Sequence, residues 1–250
     1  MKFLVLAAMM MMPTLLPAQQ QVESTVKADI VSRYMWRGSN LGGVSIQPYA
    51  EVKWQGLSLS AFGSVGLDKE DKKEVDLTLG YSRWGFNVGV TDYWYSGIDE
   101  KDRYLHFEKK GAHQLEANLG YTCKYGSIQA YTMFWGNDFK IGGGQAYSTY
   151  FELTVPFTLG TVDWTAKAGV TPFESSGYTT PKTVKTIWGD ATIQEPHHLY
   201  AEGFACNLVS LRATKAVRLG NLELPLYGEL HYNPYLNTMN MFFGMTFKPF

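Results

Sequence analysis

Apolar and polar residues alternate along most of this chain with a period of two, which is the spacing of a β-strand with two unlike faces. In one such run, Leu115, Ala117 and Leu119 alternate with Glu116 and Asn118. The runs between residues 26 and 247 predict about twelve strands of roughly ten residues each. More than half of the chain would then be strand, which is unusual for a soluble domain and expected for a β-barrel.

Five short glycine-containing turns separate pairs of these runs, and each offers the two-residue connection of a β-hairpin. The turns are Gln55-Gly56, Trp84-Gly85, Tyr125-Gly126, Leu159-Gly160 and Gly220-Asn221. The connections at the opposite ends are mostly longer and polar, near residues 38–43, 68–72, 97–112, 136–145, 173–198 and 233–236. Short periplasmic turns and longer extracellular loops are typical of an outer-membrane barrel. We therefore predict an all-β fold, a closed antiparallel transmembrane β-barrel of about twelve strands.

Charged residues of both signs lie on the polar face of most predicted strands. In a membrane barrel the apolar face meets lipid and the polar face lines the interior, whereas a soluble β-sandwich would have the faces reversed. The candidate pore-lining residues are Arg33, Arg37, Glu51, Lys53, Asp76, Glu116, Lys124, Glu152, Asp163, Lys167, Arg212, Arg218, Glu223 and Glu229. These charges would give a pore polar selectivity, or they would form a salt-bridged plug that only fills the interior. A barrel of twelve strands is intermediate between barrels of about eight strands, which side chains fill, and barrels of about sixteen, which enclose an open channel. We therefore favour the narrow pore over the plug.

The tryptophans lie mostly near the ends of the predicted runs. Those concerned are Trp36, Trp54, Trp84, Trp94, Trp135 and Trp164. Transmembrane barrels carry aromatic girdles at both membrane interfaces, and we expect these residues to form them. The run from Ile128 to Trp135 has aromatic residues on both faces, so alternation does not assign its inward face.

Residues 1–18 have the features of a secretory signal peptide: Lys2, an apolar segment, and a small-residue cleavage site at Ala18. We expect a cleaved signal peptide over 1–18 and an outer-membrane barrel domain over 19–250. The net charge of −1 provides no basic face for nucleic acid. Cys123 and Cys206 lie at opposite ends of predicted strands, so no disulfide is expected.

The first predicted strand and the loop after it carry a more specific pattern. The pattern is Ser-x-Tyr-x-x-Arg-Gly-Ser over residues 32–39. It is followed by Gln-Pro at 47–48, Ala-Phe-Gly-Ser at 61–64 and Glu-Val-Asp-Leu at 74–77. This order resembles the TorF-type outer-membrane porin family over about the first third of the chain. The resemblance implies a β-barrel porin of the Gram-negative outer membrane. It implies no particular substrate and no catalytic site.

The sequence offers no catalytic arrangement of residues. An outer-membrane phospholipase needs a serine activated by a nearby histidine, and no histidine here is followed by serine two residues later. The adjacent His197 and His198, and the acidic clusters at 68–71 and 99–102, have the composition of solvated loops rather than of metal sites. We therefore expect no enzyme activity, no catalytic residue, no cofactor and no metal.

The expected function is a narrow porin for the passive diffusion of small polar solutes. Its partners would be outer-membrane lipids, the barrel-assembly machinery during biogenesis, and the solutes themselves. One alternative is a closed barrel whose extracellular loops bind a ligand or a partner, which the long loop at 173–198 suggests. A barrel hydrolase assembled from residues of different strands is the third hypothesis.

Overall fold

The computed structural model describes residues 22–68, 71, 73–96, 103–186, 189–220 and 222–248. All regular secondary structure in these ranges is β-strand. The same ranges contain no helix long and apolar enough to cross a membrane. The predicted signal peptide, its cleavage site at Ala18 and the acidic cluster at 99–102 lie outside the described residues.

The strands of the described chain form one barrel and two small hairpins. In chain order they are β1 (Glu23–Val31), β2 (Tyr34–Trp36), β3 (Ser39–Gly42), β4 (Ser45–Trp54), β5 (Leu57–Gly66), β6 (Lys73–Arg83), β7 (Phe86–Tyr95), β8 (His113–Cys123), β9 (Gly126–Gly136), β10 (Thr149–Leu159), β11 (Val162–Thr171), β12 (Gly177–Thr186), β13 (Gly189–His198), β14 (Ala205–Leu219), β15 (Leu222–Asn233) and β16 (Thr238–Phe247). Twelve of them close into an antiparallel barrel, in which β1 pairs with both β4 and β16. β2 pairs with β3, and β12 with β13, outside the barrel wall. The predicted closed, twelve-stranded antiparallel barrel is confirmed.

One end of the barrel, the turn end, carries the short connections, and the opposite end, the loop end, carries most of the longer ones. In two turns both central residues have positive φ: 50° and 87° at Gln55-Gly56, and 54° and 87° at Trp84-Gly85. This geometry is that of a type I′ turn, whose twist matches the twist of the paired strands. β14 and β15 pair at Leu219 and Leu222, and Asn221 of the predicted Gly220-Asn221 turn lies outside the described residues. Two of the five predicted turns are therefore confirmed.

The other two predicted turns are wrong by one residue. β8 ends at Cys123 and pairs there with Gly126, so this turn consists of Lys124-Tyr125. β10 and β11 are joined by Gly160-Thr161. Glycine shows that a turn is near, but the pairing of the flanking strands determines which two residues form it.

The outer surface of the barrel is apolar and the interior is polar. Leu59, Leu79, Leu119 and Met241 point outward from four different strands and are 59–63 % exposed. Glu116, on the opposite face of β8, is only 2 % exposed. A soluble domain places these residue classes the other way round, so the distribution contradicts the β-sandwich alternative.

Most of the tryptophans lie near strand ends, as predicted. At the turn end are Trp54, Trp84 and Trp164, and at the loop end are Trp94 and Trp135. The prediction for Trp36 is wrong, because its ring stacks on Tyr200 at a centroid distance of 5.8 Å inside the barrel. The reason is that β1 ends at Val31 and the chain then turns into the barrel.

The loop end is more ordered than the alternation predicts. The alternation before the loop predicted at 38–43 continues from Val26 to Trp36 and predicts a single strand, but the structure has two elements there, since the connection between β1 and β4 contains the β2–β3 hairpin. The long loop predicted at 173–198 contains the β12–β13 hairpin. The residues of β12 are largely polar on both faces, so the apolar alternation that indicates a strand is absent there.

Candidate functional site in the barrel lumen

The β2–β3 hairpin folds into the loop end of the barrel. Its tip is Arg37-Gly38, with φ of 47° and 84°. Gly38 lies directly against β14, because a Cβ atom at this position would be 2.0 Å from the main-chain oxygen of Asn207. Nδ2 of Asn233 also donates to the carbonyl oxygen of Gly38 at 3.4 Å. Glycine therefore provides both the positive φ and the close approach that bring the hairpin tip onto the barrel wall.

Arg37 is held by a bidentate ion pair inside the lumen. Its Nη1 and Nη2 atoms lie 2.6 and 2.7 Å from the two carboxylate oxygens of Glu116 on β8. Nη1 also donates to the Tyr200 hydroxyl at 2.5 Å, and the Tyr93 hydroxyl donates to Glu116 at 3.0 Å. The side chains of Arg37 and Glu116 are only 8 % and 2 % exposed. Because bidentate charge-assisted bonds are strong and directional, this pair fixes the position of the hairpin tip.

Aromatic rings surround the guanidinium of Arg37. Its central carbon lies 4.4 Å from the ring centroid of Trp36, 4.1 Å from that of Tyr131 and 5.1 Å from that of Tyr150. These distances lie within the range of about 6 Å for cation–π attraction. Trp36 belongs to the hairpin, and the two tyrosines belong to β9 and β10, so the rings join the hairpin to the wall. Tyr131 therefore faces inward, which assigns the face that alternation left open.

The charge states around the hairpin follow from burial and from neighbouring groups. Burial lowers the pKa of Arg37, but Tyr200 and Glu116 outweigh this effect and hold its pKa well above the ordinary value. Burial raises the pKa of Tyr200, although Arg37 acts in the opposite direction. At the base of the hairpin, burial and then the charge of Glu74 raise the pKa of Tyr34. At neutral pH, Arg37 is consequently a cation and the two tyrosines are neutral phenols.

A cavity of about 340 Å³, here named the lumen cavity, lies beneath the hairpin. Residues from nine of the twelve barrel strands line it, so these side chains surround one interior space. Its charged residues are Arg33, Arg37, Glu152, Lys167, Arg212 and Glu229. All six belong to the predicted set, and the structure brings them together around one cavity.

Ion pairs between neighbouring strands neutralise most of the charges in the wall of the lumen cavity. Lys167 Nζ lies 3.0 Å from a carboxylate oxygen of Glu152. Arg212 Nε donates to Glu229 at 2.5 Å, and Nε2 of His231 lies 2.6 Å from the other oxygen of the same carboxylate. These contacts join β10 to β11 and β14 to β15, so they stabilise the wall as well as line the cavity.

The other predicted residues do not contribute to the lumen cavity. Nearer the turn end are Glu51, Lys53, Lys124, Asp163, Arg218 and Glu223. Arg218 pairs with Glu223 at 3.2 Å, with side chains 81 % and 53 % exposed, and Lys124 is a turn residue. A second cavity of about 660 Å³ lies at this end and is lined by Lys53. Asp76 is buried on β6 near the loop end, and its Oδ1 has no hydrogen-bond partner among the described residues.

The tyrosines that contact Arg37 and Glu116 are not among the candidate pore-lining residues predicted from the sequence. Tyr93, Tyr131 and Tyr150 lie on inward faces, and strand parity indicates this for Tyr150, which is two residues from Glu152 on β10. Tyr200 lies in the connection between β13 and β14, where no periodic pattern places a side chain. Its contact with Arg37 exists only because two distant loops fold inward.

No protein-family model matches the chain, and the search of curated proteins finds no match. The resemblance to TorF-type porins therefore stays a prediction. The described residues contain no cluster of three or more His, Cys, Asp or Glu side chains that could hold a metal ion. Both cysteines are free, as predicted.

Proposed function

We propose that this protein is an outer-membrane β-barrel that acts as a narrow channel for the passive diffusion of small polar solutes. The observation that carries the proposal is the combination of a closed wall, an apolar outer surface and a charged cavity inside. Because closure leaves no strand edge without hydrogen bonds, such a wall is suited to lipid. The lipids of the outer membrane and the barrel-assembly machinery are the corresponding partners.

The size of the barrel supports a narrow channel rather than a wide pore. Barrels of about eight strands are filled by their own side chains, and barrels of about sixteen enclose an aqueous channel. Here the lumen cavity lies inside the barrel beneath the β2–β3 hairpin, and this hairpin with the Arg37–Glu116 pair constricts the loop end. A solute would have to pass this constriction in order to cross the barrel.

The arrangement of histidines supports transport rather than catalysis. His113 contacts Asp92 at 2.8 Å through Nδ1 and the main-chain oxygen of Tyr104 at 2.6 Å through Nε2, so neither nitrogen is left to activate a nucleophile. His231 contacts Glu229 through Nε2, and its Nδ1 has no hydrogen-bond partner among the described residues. In the described ranges no serine hydroxyl lies within hydrogen-bonding distance of a histidine, which a serine hydrolase requires.

Recordings in planar lipid bilayers test the channel directly. The purified protein, with its folded state checked by heat-modifiable mobility on a gel, is expected to produce small, discrete conductance steps. The reversal potential in a salt gradient would then give the ion preference. A folded protein that inserts into the bilayer and conducts no ions would refute the channel.

A closed barrel with ligand-binding loops is the second candidate, and the β12–β13 hairpin favours it. This hairpin exposes Tyr178 and Ile193, which are 64 % and 47 % exposed, at the loop end. Exposed aromatic and aliphatic side chains on loops commonly mark interaction sites. If this candidate is correct, removing residues 178–197 will abolish binding of a partner to cells and leave barrel assembly intact, while the full-length protein conducts no ions.

A further inference from the structure

Among the described residues that line the lumen cavity, Arg33 is the one cation that no carboxylate neutralises. Arg33 Nη1 donates to the neutral side-chain oxygen of Asn240 at 3.0 Å. The amide of Asn40, oriented to satisfy its neighbours, also accepts from Arg33 at 3.3 Å. Among the described residues, no carboxylate lies within ion-pairing distance of Arg33. The cavity therefore carries an excess of positive charge at this position.

The neighbouring cations differ from Arg33 because each of them has a carboxylate partner. Arg37 is paired with Glu116, and Lys167 and Arg212 each have a carboxylate within 3.0 Å. An arginine partnered only by neutral amide oxygens retains its full charge for a ligand. Its planar donor groups match the geometry of a carboxylate.

Two buried polar atoms beside the cavity also lack partners. Nδ1 of His231 and Oγ of Ser210 have no hydrogen-bond partner among the described residues, and the two residues are 6 % and 4 % exposed. They face each other across the β14–β15 pair, and His231 lines the cavity. An unsatisfied buried polar atom costs free energy, so a bound polar group that met these atoms would be favoured.

The part of the cavity wall near Arg33 is apolar. Val31, Phe242 and Tyr227 pack together in a buried cluster, and Met35 packs against it. Val31, Met35 and Phe242 line the cavity together with Leu208. A ligand on Arg33 would therefore place its remaining atoms against hydrocarbon and an aromatic ring, which favours an apolar body.

The volume limits the size of such a ligand. Each water molecule occupies about 30 Å³ of liquid, so a cavity of about 340 Å³ has room for roughly ten non-hydrogen atoms. Small aromatic acids and branched aliphatic acids have about this size.

We propose that the lumen cavity is a binding site for a small organic carboxylate with an apolar or aromatic body. The carboxylate pairs with Arg33, and the body contacts Val31, Met35 and Phe242. This inference deepens the proposed channel function, because it names the class of solute, and it depends on that function only for the permeation of the ligand.

Calorimetric titration of the folded protein in detergent micelles at low ionic strength tests the site, with benzoate as the probe. We expect benzoate to bind at least about tenfold more tightly than benzamide, its neutral analogue, or benzamidine, its cationic analogue. A tenfold difference in Kd corresponds to about 1.4 kcal/mol of binding free energy. Acetate, which has the charge without the ring, is expected to bind more weakly than benzoate. Benzamidine binding as tightly as benzoate, or no benzoate binding at all, would overturn the proposal.

Arg33→Gln is the central variant, and we expect it to weaken benzoate binding at least about tenfold. Arg33→Lys keeps the charge without the planar donors and should give an intermediate loss. Arg83→Gln is the matched control, because the Arg83 guanidinium stacks on Trp84 in a turn at the far end of the barrel. Equal benzoate affinity in the wild type and in Arg33→Gln, with both folded, would also overturn the proposal.

The binding experiment and the bilayer recordings test the site and the channel separately, so either proposal can fail without the other. A protein that binds benzoate and conducts no ions would keep the site and contradict the channel. A protein that conducts ions and binds no benzoate would keep the channel and contradict the site.

Discussion

The two ends of the barrel lumen contain the same type of ion pair in opposite environments. At the loop end, Arg37 and Glu116 form a bidentate pair with side chains 8 % and 2 % exposed. At the turn end, Arg218 and Glu223 form a single contact at 3.2 Å with side chains 81 % and 53 % exposed. Water screens the second pair and is excluded from the first.

This difference teaches that the presence of charge in the lumen does not by itself make a pore. A buried pair contributes to the closure of the loop end, because removing either partner would leave an uncompensated charge. An exposed pair contributes little to stability and leaves its charges accessible to ions and solutes. The channel proposal consequently places the constriction at the loop end and an open vestibule at the turn end.

Removing the hairpin should have the largest effect. Val31 and Ser45 are paired across β1 and β4, so residues 33–43 can be replaced by a two-residue Asn-Gly turn without moving the wall. We expect a several-fold increase in single-channel conductance in planar bilayers, because the hairpin occupies the loop end of the lumen. Unchanged conductance in a correctly folded variant would show that the hairpin is not the constriction.

Among the single substitutions Arg37→Ala, Gly169→Ala and Arg218→Gln, the first should be the most destabilising. It leaves Glu116 buried without its cation, which typically costs about 3–5 kcal/mol. Urea unfolding in detergent, followed by tryptophan fluorescence, measures the loss. The double variant Arg37→Leu with Glu116→Leu should recover part of it, because no buried charge remains; a double variant less stable than Arg37→Ala would contradict this account.

Gly169→Ala should have a smaller effect on stability. A Cβ atom at Gly169 on β11 would lie 1.8 Å from the hydroxyl oxygen of Tyr150, so the Tyr150 ring, whose centroid lies 5.1 Å from the central guanidinium carbon of Arg37, would have to shift. Overpacking of this kind costs about 1–3 kcal/mol, measurable by the same unfolding assay. Gly142→Ala is the matched control, since no atom lies within 4 Å of a Cβ there. Equal stability of the two variants would contradict the packing argument.

Arg218→Gln should have the smallest effect. The pair with Glu223 is exposed, so we expect a change in the free energy of unfolding below about 1 kcal/mol that disappears at high salt. A loss as large as that of Arg37→Ala would mean that the turn end is closed and dry in solution.

Several features of the candidate site follow from strand parity and others do not. Alternation along β8 places Glu116 inward, and alternation along β10 and β11 does the same for Glu152 and Lys167. It also extends the first strand to Trp36 and assigns that ring to an outer girdle, which is wrong. The error arises because period-two alternation continues through Trp36, although the strand itself ends at Val31.

The sequence by itself determined the number of barrel strands, their antiparallel order, the two ends of the barrel and the inward faces of most of these strands. These properties depend on local periodicity and on short turns, which neighbouring residues encode directly. The tertiary structure alone decided that the β2–β3 hairpin enters the lumen, that Arg37 meets Glu116 and Tyr200, and that Arg33 meets the side-chain oxygen of Asn240. These contacts join residues far apart in the chain, and barrel closure brings them together across a space whose width no local pattern specifies.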